Sequence, residues 1–230
     1  MSLKDELEEY VKKTHRGAWD RREGRKVPET PDIALANQAV VIDGAVLYAD
    51  LAESTGLVKG YKDWFAAEVY KNYLYCAARI IRAHGGVITA YDGDRVMAVY
   101  VGDTRRDDAV KTALKINWSV KYILQPAIES RYPKDNYVLK QKVGVDSSSL
   151  FVARTGIRGS NDLVWVGNAA NNAAKMAALD SNFPTYITKN VYENLSDSTK
   201  LSKNGEGMWR NHSTSLGYQV YGSTYWWPLA

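Results

Sequence analysis

Residues Tyr91–Tyr100 read YDGDRVMAVY, and this decade decides how the surrounding chain folds. Asp-Gly between two apolar runs signals a β-hairpin, because the tight hairpin turns need positive φ, which Gly and Asp supply. A turn uses one Asp. Here a second carboxylate, Asp94, follows at once with Arg95 beside it, where the returning strand should begin.

Outward from the hairpin the pattern alternates. AVVIDGAVLYADL (39–51) reads as a strand ending near Asp50. A helix is expected over roughly 58–83, with Phe65, Val69, Tyr73, Ala77 and Ile80 at helical spacing and Gly85-Gly86 ending it. After the hairpin a second helix is expected over about 104–130, carrying Val110, Leu114, Trp118 and Ile128. LKQKVGVDSSSLFVAR (139–154) reads as two short strands around polar turn residues. LVWVG (163–167) leads into a small-residue helix, NAANNAAKMAAL (168–179). ITKNVYENL (187–195) reads as helix and GYQVYGSTYWW (217–227) as a strand. The order β-α-β-β-α-β predicts an α+β, split-βαβ (ferredoxin-like) domain, an antiparallel sheet flanked by helices. Upstream, residues 2–16 place Leu3, Leu7, Tyr10 and Val11 on one helical face, and the charged, two-proline stretch 21–38 reads as a linker. The expected division is an N-terminal helix and linker, 1–38, and a compact domain, 39–230.

Composition narrows the class. The 230 residues are 45% apolar and 24% charged, which suits a globular chain with one substantial core. A net charge of +4 favours an anionic ligand, yet no basic run of the kind that grips a nucleic-acid backbone is present. The single cysteine, Cys76, excludes an internal disulfide and fits a reducing cytoplasm. No stretch is long and apolar enough for a membrane span. His15, His84 and His212 lack the spacing of zinc ligands. There is neither a Gly-x-x-x-x-Gly-Lys phosphate loop nor a Gly-x-Gly-x-x-Gly after a strand.

In a split-βαβ sheet the first strand can lie beside the hairpin, which brings Asp50 and Asp94 to one edge. Two carboxylates with a main-chain carbonyl such as that of Leu51 form a hard oxygen set, suited to Mg²⁺ or Mn²⁺ rather than zinc. The following LAESTG offers main-chain N–H groups and the hydroxyls of Ser54 and Thr55 ahead of a helix, a place for phosphate. Carboxylates, a metal and an anion-binding turn together point to metal-assisted phosphoryl chemistry.

These residues resemble the class III nucleotidyl cyclases. YADLAEST (48–55) is similar to the family's first metal motif, aromatic-x-Asp-x-x-Gly-Ser-Thr, with Glu53 where Gly is usual. GDRVMAVY (93–100) is similar to the second, Gly-Asp-x-x-Met-Ala-x-aromatic. VGNAANNAAKMAAL (166–179) resembles the Val-Asn-x-Ala-Ala-Arg helix, with Asn171 at the Asn position and Lys175 at the Arg position. The resemblance runs from about Ala39 to Asn194. It implies a head-to-tail homodimer with active sites at the interface. Asp50, Asp94 and the Leu51 carbonyl of one subunit would hold two divalent ions, and Asn171 and Lys175 would come from the other. The implied reaction is attack of the ribose 3′-oxygen on the α-phosphorus of a nucleoside triphosphate. Lys175 departs from the family, since lysine binds phosphate as a point charge where arginine offers a fork; Arg95, Arg154 and Arg158 are the other candidate cations.

Purine cyclases of the family read the base with a Lys four residues before the second metal Asp and an Asp seven before the Asn. Here those positions are Ala90 and Val164, which offer a purine edge no hydrogen bond. Polar reading falls to Thr89, Tyr48, Tyr91, Arg95 or main-chain groups. Tyr91 within YDGDR resembles the pyrimidine cyclases of bacterial Pycsar antiphage systems. That resemblance implies a cytoplasmic enzyme turning UTP into cyclic UMP, read by a separate effector protein. Cyclic CMP synthesis, an adenylate or guanylate cyclase with an unusual base pocket, and a catalytically silent nucleotide-binding dimerisation domain stand as the alternatives.

Overall fold

The computed structural model describes residues 1–179 and 183–229. The ladder of its elements is set by β2 (Gln38–Leu51), whose alternation buries both faces. β2 pairs antiparallel with β4 (Arg95–Tyr100) on one side and with β5 (Gln141–Ile157) on the other, and β3 (Val87–Asp92) closes the hairpin with β4. The strand order β3-β4-β2-β5 is that of a split-βαβ sheet. The sheet continues through β7 (Thr185–Thr188), β9 (Val220–Ser223) and β8 (Arg210–His212). It is mixed rather than wholly antiparallel, because β7 joins β5 in parallel and β1 (Asp20–Glu23) joins β2 in parallel.

One face is covered by α3 (Asp63–Ala83) and α4 (Arg105–Ser119). Phe65, Val69, Tyr73, Ala77 and Ile80 recur at helical spacing along α3 and are buried against Ala45, Leu47, Ala49 and Leu51. Burial of Phe65, Val69 and Ile80 contributes about 1.5–3 kcal/mol each, and Leu47→Ala, at zero exposure, would cost about 2–5 kcal/mol. The opposite face carries Val40, Ile42, Val46 and Met97 under α6 (Asn168–Ala177), which presents Ala169, Ala170 and Ala173 to it.

Several expectations are corrected. The segment read as a linker is in part strand β1, and its Val27 and Ile33 are buried in the α6-side core. The charge and prolines of this stretch hide two apolar anchors. The helix expected from 58 is two: α2 (Ser54–Gly60) and α3, separated at Tyr61-Lys62. The helix expected over 104–130 passes from α4 through a π-helical stretch (Val120–Leu124) into α5 (Gln125–Arg131). The two strands around DSSS are one 17-residue strand, β5. Its polar residues find partners in place of a turn: the Ser147 hydroxyl donates to Gly44 O at 3.1 Å, and Asp146 accepts two side-chain hydrogen bonds. ITKNVYENL opens as strand β7 and only then becomes α7 (Lys189–Glu193). α1 (Leu3–Arg16) forms as expected and buries none of its residues; α8 (Asp197–Lys200) and β6 (Ser160–Val166) are further elements.

Candidate active site

The hairpin turn is displaced by one residue from its expected place. Asp92 and Arg95 are the closing pair, so Gly93 and Asp94 are the two central residues. Only Gly93 has positive φ, at 60°, the pattern of a II′ rather than a I′ turn. Asp94 therefore stands in the turn itself, next to Arg95, the cross-strand partner of Asp50. The strands thus bring the two aspartates to one end of the sheet. One Asp94 carboxylate oxygen, Oδ2, is buried with no hydrogen-bond partner. The Asp50 carboxyl is pushed up to about 7, first by burial and then by the neighbouring Asp94, while Arg95 and the Leu51 main-chain N–H pull it down. Two crowded carboxylates, one with an orphaned oxygen, are what a divalent cation would relieve. Among the described residues no group of three or more acidic, His or Cys side chains converges, so a cation here would draw on this pair plus main chain such as the Leu51 carbonyl. Behind them Tyr73, fully buried on α3, donates its hydroxyl to Asp50 O at 3.3 Å and ties the strand end to the helix layer.

Lys142 was missed by sequence reasoning. It lies directly across from Asp50 on β5, on the same face of the sheet. Only the β2–β5 register reveals it.

The turn after Leu51 shows why glycine suits position 53. Glu53 caps α2 with φ 62° and ψ 24°, the left-handed region where glycine is at ease. Its side chain makes no cap bond; both carboxylate oxygens reach Lys140 Nζ, at 2.9 and 3.1 Å. Ser54 and Thr55 are the first two residues of α2 itself, whereas the expectation placed them ahead of a helix starting near 58.

The residues expected to face the base divide between the two faces of the sheet. A β-bulge at Thr89 shifts the β3–β4 register between Ile88 and Ala90. Ile88 consequently packs toward α3, whereas Ala90 sits opposite Met97, beside Tyr48, on the face that carries Asp50. Without the extra residue Ala90 would point the other way. The Thr89 hydroxyl lies 3.5 Å from Met97 O. Burial pushes the half-buried Tyr48 phenol up. Arg95 shares this face and pairs with Asp92 at 3.0 Å. Tyr91 is opposite Val96, a residue of the α3-side core, so its exposed side chain falls on the other face from Ala90. Val164 is exposed on β6, on the side away from Leu163 and Trp165, and is not brought to Ala90 within one protomer.

Asn171 and Lys175 are exposed one turn apart on α6, and no hydrogen bond or ion pair among the described residues joins either to Asp50 or Asp94. Of the alternative cations, Arg154 donates from Nε to Asn161 Oδ1 at 2.8 Å and from Nη1 to Ile33 O at 3.4 Å, and so is committed to the fold. Arg158 lies in the turn between β5 and β6.

Comparison with known proteins agrees with this geometry. No protein-family profile matches the chain. Over its full length, and over the full length of each relative, it is 51% identical to a uridylate cyclase of Xanthomonas perforans and 47% identical to one of Burkholderia cepacia. A Rhodovulum uridylate cyclase is 34% identical over 98% of each chain. Among solved structures the fold matches an adenylyl cyclase from P. aeruginosa, with TM-score 0.67 and 19% identity over 80% of this chain and 95% of that one. It also matches a guanylate cyclase domain solved with GTP, with TM-score 0.62 and 16% identity over 80% and 97%. Fold, motif order and full-length relatives converge: the chain belongs to the class III nucleotidyl cyclases, in the family of the proteins named uridylate cyclase.

Proposed function

We propose that this cyclase converts UTP to 3′,5′-cyclic UMP and pyrophosphate, working as a head-to-tail homodimer. The observation that carries the reading is the pair Asp50 and Asp94, crowded at one sheet end with an unpartnered buried oxygen, beside a base-side surface of Tyr48, Ala90 and Met97 that lacks a lysine. Divalent cations held there, Mn²⁺ or Mg²⁺, would acidify the ribose 3′-hydroxyl and neutralise triphosphate charge.

The protein's own groups do the rest. The turn from Ala52 to Thr55, with Lys142 across from Asp50, receives the phosphates. Tyr48, Thr89 and Arg95 supply polar contacts to the base; Ala90 and Val164 deny a purine its hydrogen-bonded edge. Asn171 orients the ribose, and Lys175 faces the charge that grows on the α-phosphate as the 3′-oxygen attacks and pyrophosphate leaves. The dimer is supported by placement: α6 covers the same face of the sheet that bears Asp50, with Asn171 and Lys175 turned outward. A second copy laid head to tail on this face can therefore complete two sites. The product serves as an alarm signal in antiphage defence, read by a separate effector.

Incubation with each of the four NTPs and Mn²⁺, followed by mass identification of the product, tests the reading. Cyclic UMP from UTP is expected. Cyclic CMP alone would move the assignment to cytosine, cyclic AMP or GMP alone would refute the pyrimidine assignment, and no turnover of any NTP would refute the enzyme.

A further inference from the structure

β5 carries a polar track on the face that receives α6. Three alternate residues, Gly144, Asp146 and Ser148, meet successive points of that helix. At Gly144 the approach is so close that an added Cβ would lie 2.2 Å from Ala173 O. Ser148 Oγ accepts from Ala169 N at 3.0 Å, at the start of the helix. Between them Asp146, 4% exposed, accepts from Asn172 Nδ2 at 2.8 Å and from Thr188 Oγ1 at 2.5 Å.

Burying a carboxylate is costly unless its oxygens are satisfied, and here one oxygen is spent on the residue adjacent to Asn171. Asp146 accepts only, so both neighbouring donors are held in one orientation. Thr188 fixes it from β7, which leaves α6 little freedom to roll about its axis. A roll would move Asn171 and Lys175, which project from the outer side of the same helix.

We propose that Asp146 is a positioning residue for the reaction: through Asn172 it sets the rotation of α6 and hence the placement of Asn171 and Lys175 toward the partner's nucleotide. The inference rests on the shared-site reading above. It places Asp146 functionally with the α6 half of the site, although β5 also bears Lys142 next to Asp50.

Two measurements test it. In steady-state kinetics on UTP, Asp146→Asn and Asn172→Ala should each lower kcat 10-fold or more, with KM within about twofold and the circular-dichroism spectrum unchanged. Asn172→Ala removes only the α6 link, so it decides the matter if Asp146→Asn misfolds. A raised KM with unchanged kcat, or wild-type kcat in both variants, overturns the proposal. In mixed dimers, Asp50→Ala with Asn171→Ala serves as the control, and its recovery establishes shared sites. Asp146→Asn should then recover activity with Asp50→Ala and fail to recover it with Asn171→Ala. The reverse pattern would assign Asp146 to the metal half and overturn the inference. Should the control itself fail, the shared-site reading falls, while the kinetic split still decides whether Asp146 acts on kcat.

Discussion

Glu53 grips Lys140 with both carboxylate oxygens while its own backbone is held in the left-handed region. The two effects oppose each other at one residue. A non-glycine residue there is strained by about 1 kcal/mol or more, and an exposed ion pair returns about 0–1 kcal/mol. Glu53→Gly should therefore match or slightly exceed the parent in thermal melting. Glu53→Ala keeps the strain without the ion pair and should fall about 1 kcal/mol below Glu53→Gly. A Glu53→Gly variant less stable than the parent would show that the ion pair outweighs the backbone.

Asp50 links stability to pH in the metal-free protein. Its carboxyl titrates near 7 when folded and near 3.8 when unfolded, so the folded state binds the extra proton between those values. Its contribution is greatest below pH 4 and is lost as pH rises through 7. Asp50→Asn should therefore stabilise the metal-free protein at pH 8, by about 1–2 kcal/mol given that the carboxyl is half exposed, and should change little at pH 4. Urea titrations with chelator at the two pH values measure this. By the same sign, Mn²⁺ binding should strengthen from pH 6 to pH 8, and calorimetry showing no such trend would count against the crowded pair.

Asp94→Ala should abolish product and leave the protein folded, because Asp94 lies in a turn with one oxygen unpartnered. Circular dichroism and size-exclusion chromatography separate this outcome from unfolding.

Lys175→Ala should lower kcat about 10²–10³-fold, the scale for removing one group that stabilises transition-state charge. Lys175→Arg should keep or raise kcat, since the fork it introduces suits phosphate. A dead Lys175→Arg variant would instead show that the site is shaped around the ammonium.

Gly144→Ala tests the seat of α6. The new methyl meets Ala173 O and the Met176 Cβ, with backbone on one side and no flexible end to yield. A loss of about 1–3 kcal/mol is expected, readable by thermal denaturation together with a drop in kcat.

The sequence showed its strand–helix order and its paired aspartates because those signals are local: periodicity, Gly-rich stops and motif spacing. What it concealed is cross-strand. The Thr89 bulge turns Ala90 to the Asp50 face and leaves Tyr91 on the other, a choice made by pairing with Met97 and Val96 that no window of residues contains. The turn moved by one residue for a similar reason, since Asp92 is claimed by Arg95. DSSS looked like a turn because its polar groups find their partners on β2, α6 and β7, remote in sequence. Lys142 stayed hidden until β5 was laid against β2.

The period of β5 bears on how this gene can change. Lys142, Gly144, Asp146 and Ser148 share a face only because they are spaced by two. A single-codon insertion between Lys142 and Ser148 would turn part of that set toward α3 and α4, damaging both halves of the proposed site in one step. An equal insertion at Arg158-Gly159, in the open turn before β6, disturbs neither. Length variation among natural relatives should accordingly be excluded from the strand and gather at that turn.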